Sequence, residues 1–148
     1  MKIALYQPDI AGNVGTIMRL SACFDLELNI IEPCGFPFTE EKIKRSAMDY
    51  FQYVKLKRYS SFQELKDNNK DSRIILLSTK ASVKYTDFKF KDSDILMVGR
   101  ESAGVPDDIH NTVDGRVLIP MKNNMRCLNV AVSLSVVLGE AMRQCELL

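Results

Sequence analysis

Apolar residues in this chain fall into short runs separated by longer stretches with helical spacing. Lys2 to Gln7 carries Ile3-Ala4-Leu5-Tyr6 and reads as a buried strand. From Asn13 to Phe24 apolar residues recur at Val14, Ile17, Met18 and Cys23, as on an amphipathic helix. Leu28 to Ile31 is the next strand, closed by Glu32-Pro33. Thr39 can cap a helix whose first turn holds Glu40 and Glu41, carboxylates that suit the positive end of the helix dipole. Tyr53 to Leu56 predicts a short strand, and Ser60 or Ser61 caps a helix through Lys66. Arg73 to Leu77, Ile95 to Val98 and Val117 to Ile119 are continuous apolar runs, typical of strands covered on both faces.

Strands alternating with helices predict an α/β domain built on a mainly parallel sheet. No linker, repeat or low-complexity tract interrupts residues 1–148, so one domain is expected. The last helix, Leu128 to Leu148, is apolar nearly all round: Leu128, Val130, Ala131, Val132, Leu134, Val136, Val137, Leu138, Ala141 and Met142. One amphipathic stripe needs fewer. Such a helix is either wrapped by its own domain or shared with a second chain, and Ala131, Ser133, Ser135 and Gly139 would admit a partner backbone closely.

Composition narrows the class. The chain has 148 residues, 46% of them hydrophobic and 26% charged, an ordinary globular balance. A net charge of +1 provides no global field for a polyanion, so nucleic-acid binding would need a local basic patch. The N-terminal apolar stretch is too short for a signal peptide, and Leu128 to Leu138 is too short and too interrupted to cross a bilayer; a cytoplasmic protein is expected. Cys23, Cys34, Cys127 and Cys145 are scattered and His110 is the sole histidine, which argues against a zinc site or a disulfide framework. Core packing is expected for Cys23 and Cys145, and a surface helix position for His110.

Three loops could carry chemistry. Gly12-Asn13-Val14-Gly15-Thr16-Ile17-Met18-Arg19 follows the first strand; Asn13 is placed to cap the helix, and exposed amides there suit a polar ligand. Arg19 lies nearly two turns further on, and its length could return it toward the mouth of a site. A capped helix with a solvated arginine fits equally well. Neither the dinucleotide fingerprint nor a Walker loop is present. Val98-Gly99-Arg100-Glu101-Ser102-Ala103-Gly104-Val105-Pro106 is a strand end and a glycine-bearing turn, where a ligand can approach the backbone. A surface loop with its glycines at positive φ is the plain alternative. Ile119-Pro120-Met121 leads through Asn123-Asn124 to Arg126-Cys127-Leu128-Asn129, where Asn129 or a neighbour could cap the long helix. Together with Leu77-Ser78-Thr79 these segments all follow strands, so one sheet edge could gather them.

Lys42, Lys44, Arg45, Lys55, Lys57 and Arg58 are interleaved with Tyr50, Phe51 and Tyr53, which permits phosphate contacts and base stacking. Glu40, Glu41 and Asp49 nearby make a solvated helix face an equal reading.

On these motifs, and on Tyr6-Gln7-Pro8, Ile31-Glu32-Pro33, Gly35-Phe36 and Arg45-Ser46-Ala47-Met48-Asp49-Tyr50, the chain strongly resembles the SPOUT (SpoU-type) RNA methyltransferases, within them the TrmL branch that methylates the 2′-oxygen of nucleotide 34 of tRNA. The likeness runs over essentially the full length. It implies a parallel sheet flanked by helices with a C-terminal deep trefoil knot, a rare exception to unknotted topology. It implies a homodimer with the active site near the interface, S-adenosylmethionine as cofactor, no metal, and tRNA as substrate, leucine isoacceptors in particular. By the same resemblance the cofactor is held around Leu77, Ser78, Gly99, Glu101, Ile119, Cys127 and Leu128. Arg19 is the catalytic arginine, Asn13 supports it, and Lys42, Lys44 and Arg45 contact RNA.

Two departures stand out: Cys127 replaces a usual serine, and Gly139 a usual tyrosine. A thiol is a weaker hydrogen-bonding group than a hydroxyl. Arginine holds its proton too tightly to be a good base, so Arg19 is expected to orient the ribose and stabilise developing alkoxide charge. The rival readings are a 2′-O-methyltransferase for rRNA or another tRNA position, and a non-catalytic RNA-binding dimer of the same fold.

Overall fold

The computed structural model describes all residues, 1–148. Six parallel strands form one sheet in the order β3-β2-β1-β5-β4-β6. They are β1 (Lys2–Tyr6), β2 (Glu27–Ile31), β3 (Lys55–Tyr59), β4 (Ile74–Leu77), β5 (Ile95–Val98) and β6 (Gly115–Val117). The helices are α1 (Ala11–Cys23), α2 (Glu40–Ala47), α3 (Phe62–Asp67), α4 (Asp107–Thr112) and α5 (Val130–Gln144), with a 3₁₀ segment at Met48–Tyr53.

The period of two along each strand sends alternate side chains to opposite faces, and both faces are covered. Ile3, Leu5, Leu28, Ile30, Ile75, Leu96 and Val98 pack with Val14, Ile17 and Met18 of α1, Ile43 of α2 and the inner face of α5. Ala4, Tyr6, Ile31, Ile74, Leu76, Ile95 and Met97 pack on Leu65 of α3 and Ile109 of α4. An ion pair stands at the start of the neighbouring strands β4 and β5: Arg73 donates from Nε and Nη2 to the fully buried Asp94 carboxylate, both at 2.8 Å.

Several boundaries differ from the sequence expectation. Strand β3 begins two residues later than Tyr53 because Met48–Tyr53 winds as a 3₁₀ turn. Its polar run Lys55-Leu56-Lys57-Arg58 obscured its bounds, since an edge strand buries little. Lys55, Lys57 and Arg58 meet Asp25, Glu27 and Glu32 of the β2 region instead. Strand β6 ends at Val117, where Leu118 leaves to bridge Lys84 and Pro120 has no amide to continue a ladder.

Helix α1 starts at Ala11, with Ile10 in extended conformation at its cap and no side-chain cap. Asn13 is therefore inside the helix, not its cap. Cys23, at the end of α1, is exposed rather than in the core, while Cys145 is half-buried against it. Helix α5 is capped by Asn129 and buries Ala131, Leu134, Val137, Leu138, Ala141 and Met142. Its other face keeps Val132 50% and Val136 39% exposed, so this chain alone covers only one side. No helix is long and apolar enough to cross a membrane.

Candidate active site

The register fixes where the loops emerge. Leu5 pairs with Val98, Leu77 with both Val98 and Val117, so the chain leaves β1, β5, β4 and β6 at one carboxyl edge. That edge is where open α/β sheets bind ligands. A cavity of about 640 Å³ lies there, walled by Leu76, Leu77, Val98, Val105, Val117, Ile119, Met121 and Leu128. The size and the mostly apolar wall suit a nucleoside-sized ligand. Ser78, Gly99, Glu101, Cys127 and Asn13 also line it, so all seven residues expected at a cofactor site share one cavity with Asn13.

The glycine turn folds on itself. Arg100 and Gly104 exchange both backbone hydrogen bonds at 2.9 Å. A Cβ on Gly99 would lie 2.6 Å from the Gly104 carbonyl carbon, and Gly104 has φ +65°. Both glycines are thus required by the turn itself.

Glu101 ties this turn to α1 rather than presenting free oxygens to a ligand. Its Oε1 accepts from Asn13 Nδ2 at 2.9 Å and its Oε2 from the Asp9 amide at 2.8 Å. Asn13 Oδ1 in turn accepts from Asn129 Nδ2 at 3.0 Å, and Asn129 Oδ1 accepts from the Ala131 and Val132 amides. One relay joins the three loops. Asp9 adds a second tie, accepting from Ser102 Oγ at 2.5 Å and the Ser102 amide at 3.1 Å. The Ser102 hydroxyl, then its amide, hold the Asp9 carboxyl below the usual carboxylate range despite some desolvation.

The sequence marks Asn129 as a cap but not its bond to Asn13, and it gives no sign that Asp9 and Ser102 bond to one another. Their only signal was the polar composition of the turns. His110, expected on a surface helix, is half-buried in α4 and lines the cavity.

Arg19 is elsewhere. It is exposed on α1 and lines no part of the cavity. Its Nη1 meets Met48 Sδ at 3.7 Å and its guanidinium lies 5.1 Å from the centre of the Tyr50 ring. Gly15 permits this, since a Cβ there would come within 2.3 Å of Ser46 Cβ; α1 and α2 touch backbone to backbone.

A family model described as the SpoU rRNA Methylase family matches residues 1–139. The chain belongs to the SpoU methylase family. A relative from Beijerinckia indica subsp. indica, a tRNA (cytidine(34)-2′-O)-methyltransferase, is 52% identical over 96% of this chain and 90% of its own. A structure solved for insight into 2-OH methylation of C/U34 on tRNA superposes with TM-score 0.92, at 32% identity over 97% of this chain and 94% of that one. The SpoU methyltransferase AviRb from Streptomyces viridochromogenes, solved in complex with AdoMet, shares the fold at TM-score 0.87 and 22% identity, over 97% of this chain and 60% of its own.

In this SpoU-family chain the α2 cations lie apart from the cavity. Lys42, Lys44 and Arg45 are all exposed, and Lys44 is paired with Glu40 at 2.7 Å. Nearer the site, Lys80 and Arg126 are exposed residues of the cavity wall, in none of the ion pairs. No group of three or more His, Cys, Asp or Glu side chains is placed to hold a metal ion.

Proposed function

We propose that this protein transfers a methyl group from S-adenosylmethionine to the ribose 2′-oxygen of nucleotide 34 of tRNA. The observation that carries this reading is the convergence of the three family loops on one cavity, locked by the Glu101–Asn13–Asn129 relay. The identity of 52% to a tRNA (cytidine(34)-2′-O)-methyltransferase supports the choice of substrate.

The cavity fits the cofactor in volume and lining. Leu77, Ile119 and Leu128 would pack on its apolar parts, and backbone groups of Ser78, Gly99 and Cys127 would meet its polar edges. When bound it supplies an electrophilic methyl group. The chain's residues have the remaining tasks: excluding water, aligning the acceptor oxygen, and stabilising charge as its proton leaves. Glu101 serves by holding Asn13 and the 99–104 turn in place.

Arg19 organises the ribose and its adjacent phosphate. Because it stands outside its own chain's cavity, it acts in a homodimer, on substrate shared with a second copy. The exposed Val132 and Val136 on α5 support such an interface. Membership of the SpoU methylase family supports a knotted C-terminal segment. Lys42, Lys44 and Arg45 would contact the RNA at its periphery, and charge there would act in a salt-dependent way.

The deciding experiment is mass spectrometry of nuclease-generated oligonucleotides from tRNA after incubation with purified protein and labelled S-adenosylmethionine. Label on the ribose of nucleotide 34 is expected. Label at another tRNA position, or nowhere, would overturn the reading.

A further inference from the structure

Arg19 is held without being neutralised, and the way it is held points to an additional functional residue. The residue takes part in none of the ion pairs of the chain. Its contacts are a thioether at 3.7 Å and an aromatic face at 5.1 Å. A carboxylate would fix a guanidinium equally well, but it would cancel the charge and occupy the N–H fork. An aromatic face attracts the cation through its quadrupole and leaves the edge donors free. For a group that must meet a phosphate or a developing alkoxide, the second arrangement is the useful one.

The neighbouring backbone is shaped to build this cradle. Gly15 lets α2 approach until Ser46 and Ala47 would lie within 3.0 Å of any Cβ at that position. Immediately afterwards Met48 takes φ +54°, a left-handed conformation unusual for a non-glycine residue, and turns the chain out of α2. That turn starts the 3₁₀ segment, which lays Met48 and Tyr50 along Arg19. Met48 stays 54% exposed, so its position does not come from core burial.

We propose that Tyr50 is a positioning residue for Arg19: its ring face, aided by the Met48 thioether, sets the direction of the guanidinium while leaving its charge and its remaining donors for the RNA substrate. This rests on the reading of Arg19 given above.

The test compares Tyr50→Phe, Tyr50→Leu and Arg19→Ala in full-length protein, with tRNA methyl transfer, cofactor affinity and the Arg19 Nε–H resonance as readouts. Tyr50→Phe keeps the ring and should retain wild-type kcat. Tyr50→Leu fills similar space without a π face; kcat should fall about tenfold, since small misplacements of a catalytic group cost one to two orders of magnitude. Cofactor affinity should be unchanged in both. The Nε–H resonance, shifted by the ring current in wild type and Tyr50→Phe, should move to its free position in Tyr50→Leu. Full turnover in Arg19→Ala would remove the underlying role of Arg19. Loss of turnover in Arg19→Ala together with wild-type kcat in Tyr50→Leu would overturn the positioning role alone.

Discussion

Asn129 Nδ2 donates to Asn13 Oδ1 at 3.0 Å, joining residues 116 positions apart in sequence. The same Asn129 caps α5 through its Oδ1, so one side chain both starts the last helix and fastens it to the first. The two tasks can be separated. Asn129→Asp keeps a capping oxygen but sets a carboxylate oxygen against Asn13 Oδ1. Thermal stability should stay near wild type in Asn129→Asp, while S-adenosylmethionine affinity measured by calorimetry falls severalfold. Asn129→Ala should lose affinity and also about 1 kcal/mol from the missing cap. Wild-type affinity in both variants would show that the relay does not shape the cavity.

This bond also marks how far the sequence was readable. The buried strands were legible because apolar runs such as Ile95-Leu96-Met97-Val98 have one structural meaning in a doubly covered sheet. The bounds of edge strand β3 are not legible because Lys55, Lys57 and Arg58 are compensated by acids on and beside the neighbouring strand, which no local pattern shows. The loops that wall the cavity meet at one sheet edge because each follows a strand. What Glu101 and Asn13 do for one another was not legible: a spacing of 88 residues becomes a hydrogen bond only through the β1–β5 pairing. Arg19 shows the converse, for its length suggested a return to the cavity and the close approach of α2 gave it other neighbours.

Gly15 and Gly12 sit three residues apart on α1 and should respond oppositely to alanine. At Gly15 the added methyl meets Ser46 Cβ at 2.3 Å and the Ala47 amide nitrogen at 2.9 Å, so the helices must separate. Gly15→Ala should cost roughly 1–3 kcal/mol in chemical denaturation, the usual range for overpacking. At Gly12 the nearest atom is Ser46 Oγ at 3.7 Å, an ordinary contact. Gly12→Ala should be neutral or stabilise by about 0.5–1 kcal/mol, from helix propensity alone. Equal effects at both sites would contradict the backbone contact at Gly15.

The cysteines offer a chemical probe of the cavity. Burial, with a smaller contribution from the Glu32 charge, pushes the Cys34 thiol up to about 11. Thiolate is the reactive form, so Cys34 should resist iodoacetamide at neutral pH. Cys127 is exposed on the cavity wall and should alkylate readily. Saturating S-adenosylmethionine should slow the Cys127 reaction and leave that of exposed Cys23 unchanged, as followed by peptide mass spectrometry. Equal rates at Cys127 with and without cofactor would place the ligand elsewhere.

Asp9 should give the loop clamp an acid-sensitive component. Its carboxyl is held below the ordinary 3.8 chiefly by the Ser102 hydroxyl, then by the Ser102 amide. The folded form therefore binds its proton less readily than the unfolded chain. The associated stabilisation is complete above the unfolded pKa and disappears as pH falls through the lower folded value. Ser102→Ala should raise the Asp9 pKa in a carboxyl-detected NMR titration and move the onset of acid unfolding to higher pH. At pH 7 the change in stability should be small, because Asp9 is only half-buried and solvent screens what its two bonds to Ser102 contribute.

Gly139 lies in the middle of α5, where glycine costs about 1 kcal/mol relative to alanine. Nothing lies within 4 Å of where its Cβ would stand, so the chain's own packing does not require glycine. It shares the helix with exposed Val132 and Val136, the apolar face this chain leaves uncovered. Gly139→Ala should therefore stabilise the isolated fold by about 0.5–1 kcal/mol if no second chain packs there. Where a second copy approaches closely, the methyl group opposes that contact, and the gain appears only on dilution. Unfolding measured across protein concentrations distinguishes the two: a uniform gain means that no second chain packs on Gly139, whereas a gain confined to low concentration puts Gly139 within an interface.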